Sequence, residues 1–422
     1  MKYVSTRENA PAISVSQAIL DGIAKDGGLY VPKSFPQFSQ DDFAKCHTLA
    51  EIAAQLLRPF FAEDALLKKL PEICEQAFDF EVPNTPVTTG LSLLELFHGP
   101  TGAFKDFGAR FLGQCISRMD LAQAKTILVA TSGDTGGAVG CAFEQNPNAK
   151  VVILYPRGRV SEFQQHQLTC WGDNVVALEV RGDFDDCQRL VKQAFADEEV
   201  RDRHNLGSAN SINIARLLPQ MSYYAASALT AFRASGELAN FIIPSGNMGN
   251  GMAALWARSC GLPIGHIHFA CNANETLYDF FSSGDFSARP SIATIANAMD
   301  VGNPSNFERF CALTTEQIQQ VDCKTFSDNQ IRQEIKTGFS EFGKTWCPHT
   351  ACAALSWREL PVNLRQKHWT LVATADPYKF KDVIEPLLNQ SIAPPANLQN
   401  IFKRPSSFTT IEPKLSALAA AL

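Results

Sequence analysis

The sequence predicts an α/β protein with mainly parallel sheets buried on both faces. Three observations carry this reading. From about residue 85 onward, apolar β-branched runs alternate with stretches of helical periodicity. The runs are apolar throughout, as strands covered by helices on both sides are. Loops rich in Gly, Ser, Thr and Asn follow several of them, and folds of this class place ligands beyond the carboxyl ends of their strands.

The elements follow in order. Residues 16–25 read as a helix that Asp26-Gly27-Gly28 stops, since Gly takes the left-handed conformation that ends helices. Leu49 to Lys69 carries apolar residues at helical spacing, so the chain up to about Glu81 reads as a small, mostly helical unit. Pro83 and Pro86 mark its boundary. Strands are expected at Thr126–Thr131, Val151–Tyr155, Val175–Val180, Phe241–Pro244, His266–Ala270 and Thr370–Thr374. Helices are expected at Phe107–Ser117, Asp185–Phe195, Leu217–Phe232 and Gly251–Cys260. No internal repeat is visible, and the stretch beyond about Gln390 carries no clear pattern.

Composition bounds the function. A chain of 422 residues can bury a large core, and 45% hydrophobic with 19% charged residues argues against disorder. A net charge of −6 excludes a strongly basic nucleic-acid binder. No apolar run is long enough to span a bilayer, and the polar start, Met1 to Glu8, lacks the apolar core of a secretion signal. The 12 cysteines are scattered among apolar neighbours without a CxxC pair. They read as small hydrophobes of a reducing compartment, so the expected location is cytoplasmic.

Four loops could carry chemistry. Thr131-Ser132-Gly133-Asp134-Thr135-Gly136-Gly137 joins a strand to a helix and offers free N–H groups to an anion. Ser245-Gly246-Asn247-Met248-Gly249-Asn250-Gly251 does the same and reads as a phosphate cradle. Gly249-x-Gly251-x-x-Ala254 also fits a dinucleotide fingerprint, but its first glycine comes late after the strand. Phe97 to Asp106 delivers Lys105 to a helix start, where a full positive charge is unfavourable. Lys105 is either a solvated surface lysine or one that forms a Schiff base with an aldehyde. Asn210-Ser211-Ile212-Asn213-Ile214-Ala215-Arg216 suits a second anion, and Arg157 and Arg159 follow another strand.

Other motifs are set aside. Gly338 to Thr345 satisfies the Walker A pattern, but Ile331–Phe342 reads as a helix where a strand is required, and Trp346-Cys347-Pro348 interrupts a following helix. His266 and His268, and Cys347, His349 and Cys352, do not complete a metal set at usual spacing, so no metal is expected.

Taken together, Lys105 and the glycine loops resemble the threonine synthase family of pyridoxal-phosphate enzymes. The resemblance spans nearly the whole chain: Asp26 to Pro32, His98 to Thr101, Phe104 to Gly108, Ala130 to Gly136, Asn210 to Arg216 and Pro244 to Asn247. It implies the tryptophan-synthase-β-like fold (fold type II), with an N-terminal mostly helical domain over 1–84, a large cofactor domain over 85–107 and 223–390, a small domain over 108–222 and a tail over 391–422. It implies pyridoxal 5'-phosphate held by Lys105 through an imine, with Gly246, Asn247, Met248, Gly249 and Asn250 on its phosphate and Thr374 at its ring nitrogen. It further implies Ser132, Asp134 and Thr135 toward the substrate carboxylate and cofactor ring. Asn210, Ser211 and Arg216 would hold the phosphate of O-phospho-L-homoserine.

The implied reaction forms L-threonine and phosphate, with Lys105 as general base and acid. The alternative is a phospholyase that stops at a 2-oxo acid, ammonia and phosphate. The implied protein is a monomer or homodimer with no nucleic-acid or membrane partner. One departure from the family stands near the ring-nitrogen position: the usual Thr-Ala-His-Pro is Thr374-Ala375-Asp376-Pro377. Asp376 either faces the ring or caps the helix that Pro377 begins.

Overall fold

The computed structural model describes residues 1–422. In its first 80 residues short helices outnumber strands, and irregular chain joins them. Ser14 caps the helix Val15–Asp21, which ends at Gly22 with φ +70°. A capping box from Thr48 to Glu51 starts the helix Leu49–Leu57. Two short strands, β1 (Tyr3–Ser5) and β2 (Tyr30–Pro32), pair antiparallel.

The larger sheet contains β3 (Asn84–Thr88), β4 (Leu91–Glu95), β9 (Ala239–Pro244), β10 (Ile264–Cys271), β11 (Val321–Thr325) and β12 (Trp369–Ala373), in the order β11-β10-β9-β12-β4-β3. Its pairs are parallel except β3 with β4. The second sheet, β13-β7-β6-β5-β8, is wholly parallel. It comprises β5 (Lys125–Ala130), β6 (Ala149–Pro156), β7 (Val175–Val180), β8 (Leu206–Ser208) and β13 (Thr409–Ile411). The carboxyl-terminal stretch, silent in sequence, thus supplies an edge strand, and its helix Leu415–Ala421 packs on the helix Phe184–Ala196.

One core cluster of 70 buried residues joins the N-terminal unit to the helices Lys105–Ser117, Met221–Ser235 and Gly249–Ser259. A second, around Trp346 and Trp369, fills the other face of the larger sheet. All six predicted strands are present, with ends shifted by a residue or two. The Walker-like stretch runs from the last turns of the helix Asp328–Phe342 past its cap at Gly343, with a helix where a strand is required, and a Cβ on Gly338 would lie 1.7 Å from the Trp346 indole nitrogen, so no phosphate loop forms there. Pro348 does not interrupt a helix as expected. It occupies the first turn of Pro348–Arg358, with Cys347 as cap, because proline is well suited to that position.

The order β9-β12-β4 positions the site. These three parallel neighbours end side by side. Beyond β4 comes the loop to Lys105, beyond β9 the glycine loop, and beyond β12 Thr374. The chain supplies no helix long and apolar enough to cross a membrane.

Candidate active site

Lys105 is the first residue of the helix Lys105–Ser117, and its amine lies 4.3 Å from the Phe104 ring centroid. The turn before it is fixed by Asp106, whose carboxylate accepts from the Thr101 N–H at 2.9 Å and the Thr101 hydroxyl at 2.6 Å. Lys105 opens into a cavity also lined by Asp134, Ser211, Arg216, Gln220, residues 244–250, Ala298, Met299, His349 and Thr374. Asp134 is the only acidic side chain on that wall.

The glycine loop forms one side of the cavity. None of the backbone N–H groups of residues 246–251 has a hydrogen-bond partner within the protein. They lie at the start of the helix Gly249–Ser259, whose dipole favours an anion. Met248 takes the left-handed conformation, φ 59°, at the helix cap. A Cβ on Gly246 would lie 2.6 Å from the Met299 Cα, so only glycine fits that close approach. Asn250 Oδ1 accepts from the Tyr223 and Tyr224 hydroxyls, which leaves its Nδ2 buried and unpartnered, as is the Ser245 hydroxyl.

Arg216 is a second feature open to an anion. It is buried, pairs with no carboxylate, and leaves Nε without a partner, while Nη1 donates to the Ala209 carbonyl. Gly108 makes room for it, since a Cβ there would lie 2.8 Å from Arg216 Nε. Burial pushes this guanidinium down to about 10, with Asp106 opposing. Burial, with help from Arg216, also lowers the Lys105 amine to about 8, and Asp134 works the other way. A half-neutral amine near pH 8 can take up or release a proton at Nζ.

Burial disfavours the charged form of Asp134, but the Lys379 ammonium beside it and the Gln164 amide, joined by His349 only when that ring is protonated, hold the carboxyl below its ordinary range. Lys379 is itself fully buried, 3.1 Å from Asp134 Oδ1, and donates to Thr101 O at 2.8 Å and Gln167 Oε1 at 2.7 Å. His349 is neutral, pushed down to about 4 chiefly by burial, and its Nε2 accepts from the Ala298 N–H at 3.1 Å.

The structure therefore brings together Lys105, Gly246, Asn247, Met248, Gly249, Asn250, Thr374, Asp134, Ser211 and Arg216. Ser132 and Thr135 stand outside the lining, although the N–H groups of Ser132, Asp134 and Thr135 are free. Asn210 is also outside: its amide is spent on Ala130, donating to the carbonyl at 2.9 Å and accepting from the N–H at 3.4 Å. Arg157 faces Glu179 at the surface. Asp376 caps the turn Pro377–Phe380 by accepting from the Tyr378 N–H at 2.8 Å, and it does not line the cavity. Sequence reasoning missed His349 and Gln220 as wall residues. His349 had only its neighbours Cys347 and Cys352 to mark it, and no three metal-ligating side chains gather here or elsewhere.

The residues fit a phosphorylated aldehyde cofactor: an amine on one wall faces free N–H groups and orphaned polar side chains on another. A buried lysine and a phosphate cradle on a parallel α/β scaffold define a pyridoxal-phosphate-dependent enzyme. Residues 88–374 match the family described as "Pyridoxal-phosphate dependent enzyme". Residues 2–78 match "Threonine synthase N terminus". The chain is 38% identical over 403 residues to threonine synthase of Escherichia coli strain K12, covering 94% of each chain. It is 39% identical over 335 residues to that of Saccharomyces cerevisiae, covering 73% of this chain and 65% of the relative. The crystal structure of threonine synthase from Escherichia coli superposes with a TM-score of 0.92 at 36% identity, covering 100% of this chain and 99% of that one. A structure described as PLP bound threonine synthase from Brucella melitensis superposes with a TM-score of 0.91 at 33% identity, covering 100% and 98%. The chain belongs to the threonine synthase family, with fold type II and pyridoxal phosphate as cofactor.

Proposed function

We propose that this protein converts O-phospho-L-homoserine and water to L-threonine and phosphate. The observation that carries the proposal is that one cavity presents two anion-receptive features beside one amine: the free N–H groups of residues 246–251, and the buried Arg216 with an unpartnered Nε. A phosphorylated cofactor and a phosphorylated substrate each need one. When bound through Lys105, the pyridine ring supplies the electron sink that stabilises carbanions at the substrate's carbons.

The chain's own residues supply the rest. Gly246 to Asn250 hold the cofactor phosphate through backbone N–H groups, and Thr374 presents a hydroxyl to the ring nitrogen. Arg216 and Ser211 grip the substrate phosphate and stabilise it as it leaves. The free N–H groups of Ser132, Asp134 and Thr135 suit the substrate carboxylate. The Asp134 side chain does not, because an ionised carboxylate repels another. Lys105 Nζ moves protons, its affinity lowered toward neutrality by burial.

The domain limits proposed are 1–84, 85–107 with 223–390, 108–222, and the tail 391–422. The working compartment proposed is the cytoplasm, in keeping with 12 free cysteines. Incubating holo-protein with O-phospho-L-homoserine and measuring phosphate, threonine and 2-oxobutyrate together tests the reaction. Threonine matching phosphate is expected, whereas 2-oxobutyrate as the main product overturns the proposal. Lys105→Ala should remove both turnover and the absorbance band of lysine-bound pyridoxal.

A further inference from the structure

Ser211 Oγ is approached by two N–H donors: Asn247 Nδ2 at 2.6 Å and Asn306 Nδ2 at 3.4 Å. Groups of fixed polarity set the orientation of both amides. The Ser305 backbone N–H donates to Asn247 Oδ1. Arg309 Nη1 donates to Asn306 Oδ1 at 2.7 Å, so the amide nitrogen of Asn306 must face the other way, toward Ser211 and the Asn247 carbonyl. Arg309 is fully buried and pairs with no carboxylate. Three more of its five N–H groups donate to the carbonyls of Tyr30, Ser211 and Ile212, which pins the loop that carries Ser211.

A hydroxyl has one hydrogen and two lone pairs. With donors facing both lone pairs, Ser211 can only donate toward the cavity it lines, and no protein acceptor takes its hydrogen. We propose that Asn306 and Arg309 are positioning residues that lock the Ser211 hydroxyl as a one-way donor to a phosphate monoester dianion. The inference rests on the functional reading above. A free serine accepts from a ligand hydroxyl as readily as it donates; a locked one favours ligands that only accept. The reading above gives Ser211 to the substrate phosphate, and the cofactor phosphate is the other source the test must separate. Arg216 on the same wall points to the substrate phosphate, and Gly249, whose Cβ would lie 3.6 Å from the Ser211 Cβ, points to the cofactor phosphate.

The test measures two affinities in Ser211→Ala, Asn306→Ala and the double variant: inorganic phosphate binding to holo-protein by calorimetry, and pyridoxal 5'-phosphate binding to cofactor-free protein by absorbance. Each single substitution should weaken one affinity about tenfold to a hundredfold, the range for a hydrogen bond to a charged group. The double variant should bind no more weakly than Ser211→Ala, because Asn306 acts through Ser211. The affinity that falls identifies the phosphate.

Asn306→Asp keeps the shape and the Arg309 contact but offers Ser211 an acceptor, so the hydroxyl hydrogen turns away from the ligand. It should lose at least as much affinity as Ser211→Ala while still folding. Unchanged affinities in Asn306→Ala and Asn306→Asp, or losses that add in the double variant, overturn the inference. If wild-type protein forms no threonine, the functional reading falls, while the phosphate cycle still decides the role of Asn306.

Discussion

Arg216→Met separates a residue kept for binding from one kept for folding. Burial lowers the guanidinium from its ordinary value to about 10. At roughly 1.4 kcal/mol per pKa unit, this corresponds to about 3 kcal/mol against the charged form. The sign follows directly. A base whose folded pKa is depressed destabilises the fold wherever both states are charged, so at neutral pH the whole cost is present. Methionine removes that cost and fills much of the volume. It also strands the Ala209 carbonyl, at about 1–3 kcal/mol. The two changes nearly cancel.

The melting temperature of cofactor-free Arg216→Met should therefore stay within about 4 °C of wild type, since 1 kcal/mol moves a chain of this size by roughly 2–4 °C or less. Binding should not be spared. Losing a charge-assisted contact should weaken inorganic phosphate, and raise KM for O-phospho-L-homoserine, about tenfold to a hundredfold. Lys105 provides a third readout. Because Arg216 helps lower its proton affinity, the midpoint of pH-dependent acylation of Lys105, read by mass spectrometry of cofactor-free protein, should rise from about 8. A fall in melting temperature of about 10 °C or more, with phosphate affinity intact, would refute the reasoning and make Arg216 a structural cation.

Two other substitutions test the site's edges. Gly246→Ala places a Cβ 2.6 Å from the Met299 backbone, and overpacking of about 1–3 kcal/mol should appear as a roughly fivefold to hundredfold loss of pyridoxal 5'-phosphate affinity in an absorbance titration; wild-type affinity would contradict the close fit. Asp376→Ala removes a helix cap and should cost about 1 kcal/mol by chemical denaturation, leaving the cofactor absorbance and its pH dependence unmoved; a spectral shift would return Asp376 to the ring.

The legible parts of the sequence were those in which local pattern and tertiary position agree. Fully apolar runs such as Val151–Tyr155 and Phe241–Pro244 are strands because both faces are covered. The glycine loop and Lys105 stood out because a close approach and a lysine at a helix start are unusual choices without a ligand. What stayed hidden depends on long-range pairing. β13 is three residues, two of them exposed threonines, and becomes a strand only because Thr409 to Ile411 lie against Leu178 to Val180. Asn306 and Arg309 belong to an ordinary-looking stretch, and only the fold carries them to Ser211. Asn210 shows the converse: its amide, of a kind suited to an anion, is spent on Ala130 at the end of β5, which only the fold reveals. Asp376 raised two possibilities that only geometry could separate.

The pairing of β13 with β7 also has a kinetic consequence. A ribosome makes β5, β6, β7 and β8 well before it makes β12, and β13 only afterwards. Until residues 409–411 emerge, β7 presents bare N–H and C=O groups along one side, open to any stray extended segment. The nascent protein is thus exposed to misassembly along this edge in the interval between its fourth small-sheet strand and its thirteenth strand overall. A chain cut short before Thr409 would stay in that state.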